Sequence, residues 1–207
     1  MDISEGFNTI ADFAEHKLKE KASLFISQVY HIDSADEAAE YLDKVRKQYY
    51  DATHHCYAYR LVNGDFRYSD DGEPNGTAGI RIFSAIEHFE LFNVLLVVIR
   101  YFGGTKLGVG PLGKVYYSSA FDLLSESSII HKQTFTKVTI GYNFSQTGQV
   151  HHVLSSYNVK ITATRYEENS LMDLLIQQKD IESLKSSLTD SLKGNVTIVE
   201  TGEIHHI

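Results

Sequence analysis

The chain has 207 residues with a formal net charge of −8 at neutral pH, and 43% of its residues are hydrophobic. These values are ordinary for a globular protein of one or two domains, and no apolar run reaches the roughly 18 residues of a membrane-spanning helix. The N-terminus carries early acidic residues and no apolar core of a signal peptide, and Cys56 is the only cysteine. We therefore expect a cytoplasmic protein with no membrane association and no disulfide framework.

The first 130 residues contain alternating signals for strands and helices. Ser34 and Glu37 form a capping box before an amphipathic segment, which predicts the start of a helix. Asn63 and Gly64 are typical of a tight turn between two strands. In chain order, the predicted elements are strand 22–32, helix 35–48, strands 56–62 and 65–68, helix 78–89, strand 93–101 and helix 114–124.

A second series of elements begins near residue 130. Its members are strand 135–144, helix 149–157, strands 159–167 and 171–177, helix 179–192 and strand 196–205. The order β-α-β-β-α-β is typical of a ferredoxin-like domain. The sequence therefore predicts an α+β protein with one domain at 1–130 and a ferredoxin-like domain at 131–207.

The glycine-rich segment YFGGTKLGVGPLGKVY overlays two phosphate-binding patterns, G-x-G-x-x-G and G-x-x-x-x-G-K, both starting at Gly108. The dinucleotide pattern needs its first glycine at the strand end and an acid about 20 residues on, and neither is present. The P-loop pattern needs Ser or Thr after its lysine, but valine stands there, and Pro111 removes a backbone N–H. A looser anion site with Lys106 and Lys114, and a tight turn without any ligand, both remain open.

The loop SDDGE places Asp70, Asp71 and Glu73 within a few residues of each other. Three carboxylates at this spacing can bind a hard cation or serve as general acid and base groups. A solvated turn is the alternative. The loop is not an EF-hand loop, because the later ligands are missing. We assign no metal ligands in this sequence and expect no cofactor.

The stretch HHC begins a predicted strand. Neighbouring strand residues face opposite sides, so His54 and Cys56 share one face while His55 points to the other. Two roles for the thiol stay open: a nucleophile beside a histidine, or a small buried hydrophobic group.

Three blocks together resemble the IMPACT family, which includes short bacterial YigZ-type proteins and the eukaryotic IMPACT regulator of translation. The blocks are ATHHCYAY at 52–59, SDDGEPNGTAG at 69–79 and VVIRYFGGTKLGVGPL at 97–112. The resemblance implies that the first domain is similar to the ribosomal protein S5 domain 2-like fold, a sheet with helices on one face. It implies that the second is similar to a ferredoxin-like domain of elongation factor G. Both folds recur in proteins that contact RNA.

The resemblance leads us to expect a protein that binds RNA or a ribosome-associated factor and is linked to the regulation of translation. The stretch 91–121, which contains no Asp or Glu, supports an anionic partner. The expected binding residues are Arg100, Tyr101, Gly103, Gly104, Lys106, Gly108, Gly110 and Lys114, with His54, Tyr57 and Tyr59 for stacking.

An enzyme acting on a phosphorylated or acyl substrate is the alternative, and its catalytic residues are left unassigned. It would use Asp70, Asp71 and Glu73 with the glycine-rich segment as an anion holder. If both motifs line one cleft with His54 nearby, an active site is favoured. If they lie apart and the basic segment is flat and exposed, binding is favoured.

Overall fold

A computed structural model describes residues 5–166 and 169–207. One compact unit extends from Phe7 to His131, and another from Lys132 to Ile207 with Glu5 and Gly6. Both units combine helices with antiparallel strands, so the predicted α+β class is confirmed. Among the described residues, no helix is both long and apolar enough to cross a membrane.

The chain as far as residue 128 forms strands and helices in alternation. The strands are β1 (Gly6–Ile10), β2 (Ala14–Glu20), β3 (Ser23–His31), β4 (His54–Arg60), β5 (Phe66–Ser69) and β6 (Val94–Tyr101), and the helices are α1 (Ala35–Gln48), α2 (Gly79–His88) and α3 (Val109–Glu126). Five of the strands pair in the antiparallel order β2-β3-β6-β4-β5. The sequence pattern did not predict β1 and β2.

Helices cover both faces of this sheet. The even-numbered residues of β6 from Val94 to Val98 belong to a core cluster with α2 and α3. The odd-numbered residues from Leu95 to Ile99 belong to a separate cluster with α1. The expectation of helices on one face is therefore wrong, and the reason lies in β6, whose continuous apolar run suits a strand that is buried on both sides.

The second unit is built from a smaller set of elements. These are β7 (Ile129–Tyr142), α4 (Thr147–Leu154), β8 (Val159–Tyr166), β9 (Ser170–Ile176), α5 (Ile181–Ser191) and β10 (Val196–His206). The strands pair antiparallel in the order β8-β9-β7-β10, and α4 and α5 pack on one sheet face. The ferredoxin-like arrangement is confirmed. Residue 167, at the end of predicted strand 159–167, lies outside the described residues.

Candidate functional site

One cleft in the first unit brings together the SDDGE loop, the end of β6 and the glycine-rich segment. It encloses about 410 Å³, and its functional side chains are those of His54, Glu73, Arg100, Phe102 and Lys106. Gly108 and the first turn of α3 close one side of it. Both motifs thus reach one cleft with His54 beside them, which meets the condition for an active site in part, since Glu73 is the only carboxylate of the SDDGE loop among its lining residues.

Arg100 and Glu73 form a buried ion pair at the base of the cleft. Only 5% of Arg100 and 8% of Glu73 are exposed. Arg100 Nη1 donates to Glu73 Oε1 at 2.5 Å, and the Tyr116 hydroxyl donates to the same oxygen at 2.8 Å. Arg100 is therefore not an exposed cation at the surface, because its guanidinium is buried and paired with Glu73.

One N–H donor of Arg100 makes no hydrogen bond to the described residues. Its Nε is buried and has no hydrogen-bond partner in the part of the chain that the structure describes. A buried donor without a partner costs about 1–3 kcal/mol. Because Nε has almost no accessible surface, a ligand in the cleft reaches it only if neighbouring side chains move, so the role of the guanidinium in this structure is to hold Glu73.

His54 has one ring nitrogen committed to the protein and one facing the cleft wall. Nδ1 lies 2.8 Å from the backbone oxygen of Asp71, which can only accept, so Nδ1 carries a proton. Nε2 lies 3.7 Å from Glu73 Oε2, too far for a direct hydrogen bond. Nε2 can therefore donate to an anionic ligand when His54 is charged, and accept a proton when it is neutral.

The other two carboxylates of the SDDGE loop hold backbone instead of lining the cleft. Asp70 accepts N–H groups of Gly76, Ala78 and Gly79 at 2.9, 2.9 and 2.8 Å, which fixes the loop at the start of α2. Asp71 Oδ2 accepts the N–H of His55 at 2.7 Å. The expected joint acidic site is therefore wrong, and only Glu73 remains in the cleft. Among residues 5–166 and 169–207, no group of His, Cys, Asp and Glu is arranged to hold a metal.

Helix α3 begins at Val109, five residues before the predicted start. Pro111 falls in its first turn, where the missing N–H has no partner within a helix. Gly108 precedes the helix with φ of 89° and offers no capping side chain. The N–H groups of Val109 and Gly110 therefore lack intrahelical acceptors, and they give this end of the cleft a positive potential beside exposed Lys106.

Several predicted binding residues lie away from the cleft. Tyr57 and Tyr59 pack with α1, on the sheet face opposite Cys56, so they do not share a surface with His54. Tyr101 also packs on the α1 face, and its hydroxyl donates to Asp51 at 2.8 Å. This hydrogen bond raises the pKa of Tyr101 to about 12. Gly103, Gly104 and Gly110 do not line the cleft, and Lys114 lines a neighbouring pocket.

Cys56 is a fully buried thiol that does not line the cleft. It shares the sheet face of His54, as predicted, and its Sγ donates to the backbone oxygen of Asp70 at 3.0 Å. Burial raises the pKa of the Cys56 thiol well above its usual value, so the thiol stays protonated. Of its two open roles, the structure supports the small buried group.

Two residues of the site, Phe102 and Tyr116, were not among the predicted ones. Phe102 is 43% exposed, and its ring centre lies 5.4 Å from the guanidinium carbon of Arg100. An aromatic residue directly before a glycine pair was the available signal. Tyr116 offered no signal, because its hydrogen-bond partner Glu73 is 43 positions away in the sequence.

The fold and the cleft define an α+β protein of two compact units, with a cleft of basic and buried polar side chains in the first. A family model for the Impact N-terminal domain matches residues 21–124, slightly more than half of the chain. An IMPACT family member of Haemophilus influenzae is 33% identical over 193 residues, covering 88% of this chain and 92% of that protein. IMPACT family member YigZ of Escherichia coli is 28% identical over 187 residues, covering 88% and 92%. This chain belongs to the IMPACT family, and the resemblance is confirmed.

A solved structure supports the fold over almost the whole chain. The crystal structure of a hypothetical protein is similar with a TM-score of 0.69 and 26% sequence identity. The similarity covers 96% of this chain and 98% of the other. Both units are therefore shared with a protein whose structure has been determined.

Proposed function

We propose that this protein binds single-stranded RNA in the cytoplasm, that its cleft receives one nucleotide, and that this binding serves the regulation of translation. The observation that supports the proposal most is the position of an exposed lysine beside the start of a helix in one cleft. Lys106, Gly108 and Val109 all line it, and the Lys106 ammonium has no ion-pair partner among the described residues. Phosphate oxygens accept hydrogen bonds from such groups.

The cleft also offers surfaces for a base. Phe102 presents an exposed ring at the rim, and unpaired bases of RNA stack on aromatic side chains. The surrounding charge favours a nucleic-acid phosphate locally, even though the whole chain is acidic. Residues 91–121 contain no acid and provide β6, Lys106 and the start of α3. An acidic protein with one basic cleft binds its anion locally, and not through its overall charge.

The substitution Lys106→Glu tests this proposal. It removes one phosphate contact and places a like charge beside the ligand, so we expect affinity for single-stranded RNA to fall about tenfold, or about 1.4 kcal/mol. The slope of log affinity against log salt should become shallower by about 0.7, the value for one phosphate of a single strand. Fluorescence anisotropy with a labelled oligonucleotide between about 50 and 200 mM salt measures both.

Lys44→Glu is the matched control. Lys44 is exposed on α1, which covers the opposite face of the sheet, and the substitution changes the net charge by the same amount. We expect affinity and salt slope to stay close to wild type. Equal losses in both variants, or no RNA binding by the wild type at low salt, would contradict the proposal.

An enzyme acting on a phosphorylated or acyl substrate is the second candidate, and one observation favours it. His54 Nε2 and Glu73 Oε2 face each other across 3.7 Å in the same cleft as Lys106. A neutral imidazole there can act as a general base, with Glu73 stabilising the imidazolium that forms.

Hydrolysis of p-nitrophenyl phosphate and p-nitrophenyl acetate tests the second candidate. If the cleft is catalytic, His54→Ala should remove turnover while affinity for RNA changes less than in Lys106→Glu. The absence of turnover by the wild type with both esters, or turnover that survives in His54→Ala, would exclude this role for His54.

A further inference from the structure

A second pocket opens beside the cleft, on the other side of the first turn of α3. It encloses about 580 Å³ and shares Val109 with the cleft. Its walls come from the loop that follows SDDGE, from α2 and from the first half of α3. The two pockets are therefore neighbours around one helix end, and a ligand longer than one nucleotide could occupy both.

The second pocket carries two positive charges. Arg81 reaches it from α2 and Lys114 from α3, and no acidic residue is among its lining residues, all of which are described. Both side chains are exposed, and neither forms an ion pair with a residue in the described parts of the chain. Two cations that line one pocket without a counter-charge favour an anion between them.

Gly113 makes room for this arrangement. A Cβ at position 113 would lie 3.4 Å from Arg81 Nε, so the guanidinium of Arg81 lies directly over the glycine on α3. A methyl group at this position would be in ordinary van der Waals contact with Arg81, so only a side chain longer than alanine would compete with Arg81 for the space. The glycine that completes the P-loop-like pattern thus lies under a cation of another helix.

Neutral groups of the pocket suit a nucleotide as well. Asn75 supplies an amide that both donates and accepts, and Tyr117 supplies a ring on which a base can stack. On the other side of Val109, the cleft carries the exposed ammonium of Lys106. The order along the surface is therefore one cation, the first turn of α3, then two cations.

We infer that the second pocket binds the phosphate that follows the one in the cleft, so that a single strand passes over the first turn of α3. The ligand class is then an oligonucleotide with at least two successive phosphates, and a mononucleotide is only a partial ligand. This inference rests on the proposed function and adds a second subsite to it, formed by Arg81, Lys114, Asn75 and Tyr117.

A series of ligands of increasing length tests the inference. The probes are uridine 5′-monophosphate, the 5′-phosphorylated uridine dinucleotide and the corresponding trinucleotide, measured by calorimetry at low salt. We expect wild type to bind the dinucleotide at least tenfold more tightly than the mononucleotide. The double variant Arg81→Gln/Lys114→Gln should lose that gain and keep its affinity for the mononucleotide within about twofold.

A control variant removes the same charge elsewhere. Lys44→Gln/Lys47→Gln on α1 should keep the gain from mononucleotide to dinucleotide. If wild type shows no gain, or if Arg81→Gln/Lys114→Gln retains it, the second subsite is refuted while the cleft proposal stands. If wild type binds the mononucleotide and Lys106→Glu binds it equally well, the cleft itself is refuted. If wild type binds none of the three probes, both are refuted.

Discussion

Replacement of Glu73 by alanine is expected to lower the free energy of unfolding by about 3–5 kcal/mol. The substitution leaves the guanidinium of Arg100 buried with only 5% of the residue exposed and without its carboxylate partner. It also removes the acceptor of the Tyr116 hydroxyl, which is fully buried. Urea unfolding followed by far-ultraviolet circular dichroism measures the loss, since the chain has no tryptophan.

Two further variants separate the buried charge from the shape of the residue. Glu73→Gln keeps an acceptor for Tyr116 and Arg100 but removes the negative charge, so its loss should be smaller than that of Glu73→Ala. Glu73→Ala/Arg100→Met removes both charges, and it should recover part of the stability lost by Glu73→Ala alone. A surface ion pair contributes less than about 1 kcal/mol to stability. If Glu73→Ala lowers the free energy of unfolding by no more than that, water reaches Arg100 in the folded protein.

Local elements were predictable because their signals are local. The predicted helix 35–48 matches α1, and the Ser34 side chain accepts the N–H of Glu37 at 3.2 Å as the capping box requires. The second half of the box differs, because the Glu37 carboxylate accepts the N–H of Asp33 instead. Strand β6 and the order of the second unit followed from apolar runs and turns. The hydrophobic periodicity and the cap residues were thus sufficient to predict whether an element is a helix or a strand. The predicted ends of the elements differ from the observed ends by a few residues.

The roles of the site residues were not predictable, because they depend on partners distant in the sequence. Asp70 and Glu73 are equivalent in a loop read as SDDGE, yet one caps backbone N–H groups and the other pairs with Arg100, 27 positions away. The sequence did not predict strand β2, because its exposed charged residues alternate with half-buried ones and its apolar signal is therefore weak.

The glycine-rich segment shows the same limit. A pattern of glycines gives the backbone freedom but does not say what approaches it. In the structure, Gly103 lies against the backbone of Ala22, Gly113 lies under the side chain of Arg81, and Gly108 lines the cleft. Of these three glycines, only Gly108 fits the phosphate-loop interpretation directly. Two variants, Gly103→Ala and Gly110→Ala, distinguish a glycine that is needed for packing from one that is not.

Gly103→Ala should destabilise the protein by about 3 kcal/mol or more, the upper range for an overpacked site. A Cβ at this position would overlap the backbone carbonyl of Ala22, so the end of β6 would have to move away from the start of β3. The N–H of Gly103 also donates to Ser23 Oγ at 3.3 Å, and Arg100 donates to that same oxygen. A shift there moves the guanidinium, so RNA affinity should fall together with stability.

Gly110→Ala is the comparison that makes the result specific. Position 110 lies in the first turn of α3, and a Cβ added there would have no other atom within 4 Å, so alanine should stabilise by about 0.5–1 kcal/mol. Thermal and urea unfolding of both variants measure the contrast. If Gly103→Ala is as stable as wild type, β3 and β6 can move apart without any loss in the free energy of unfolding. The glycine pair after Phe102 would then be free to serve a ligand, whereas the structure assigns Gly103 to the close approach of two strands.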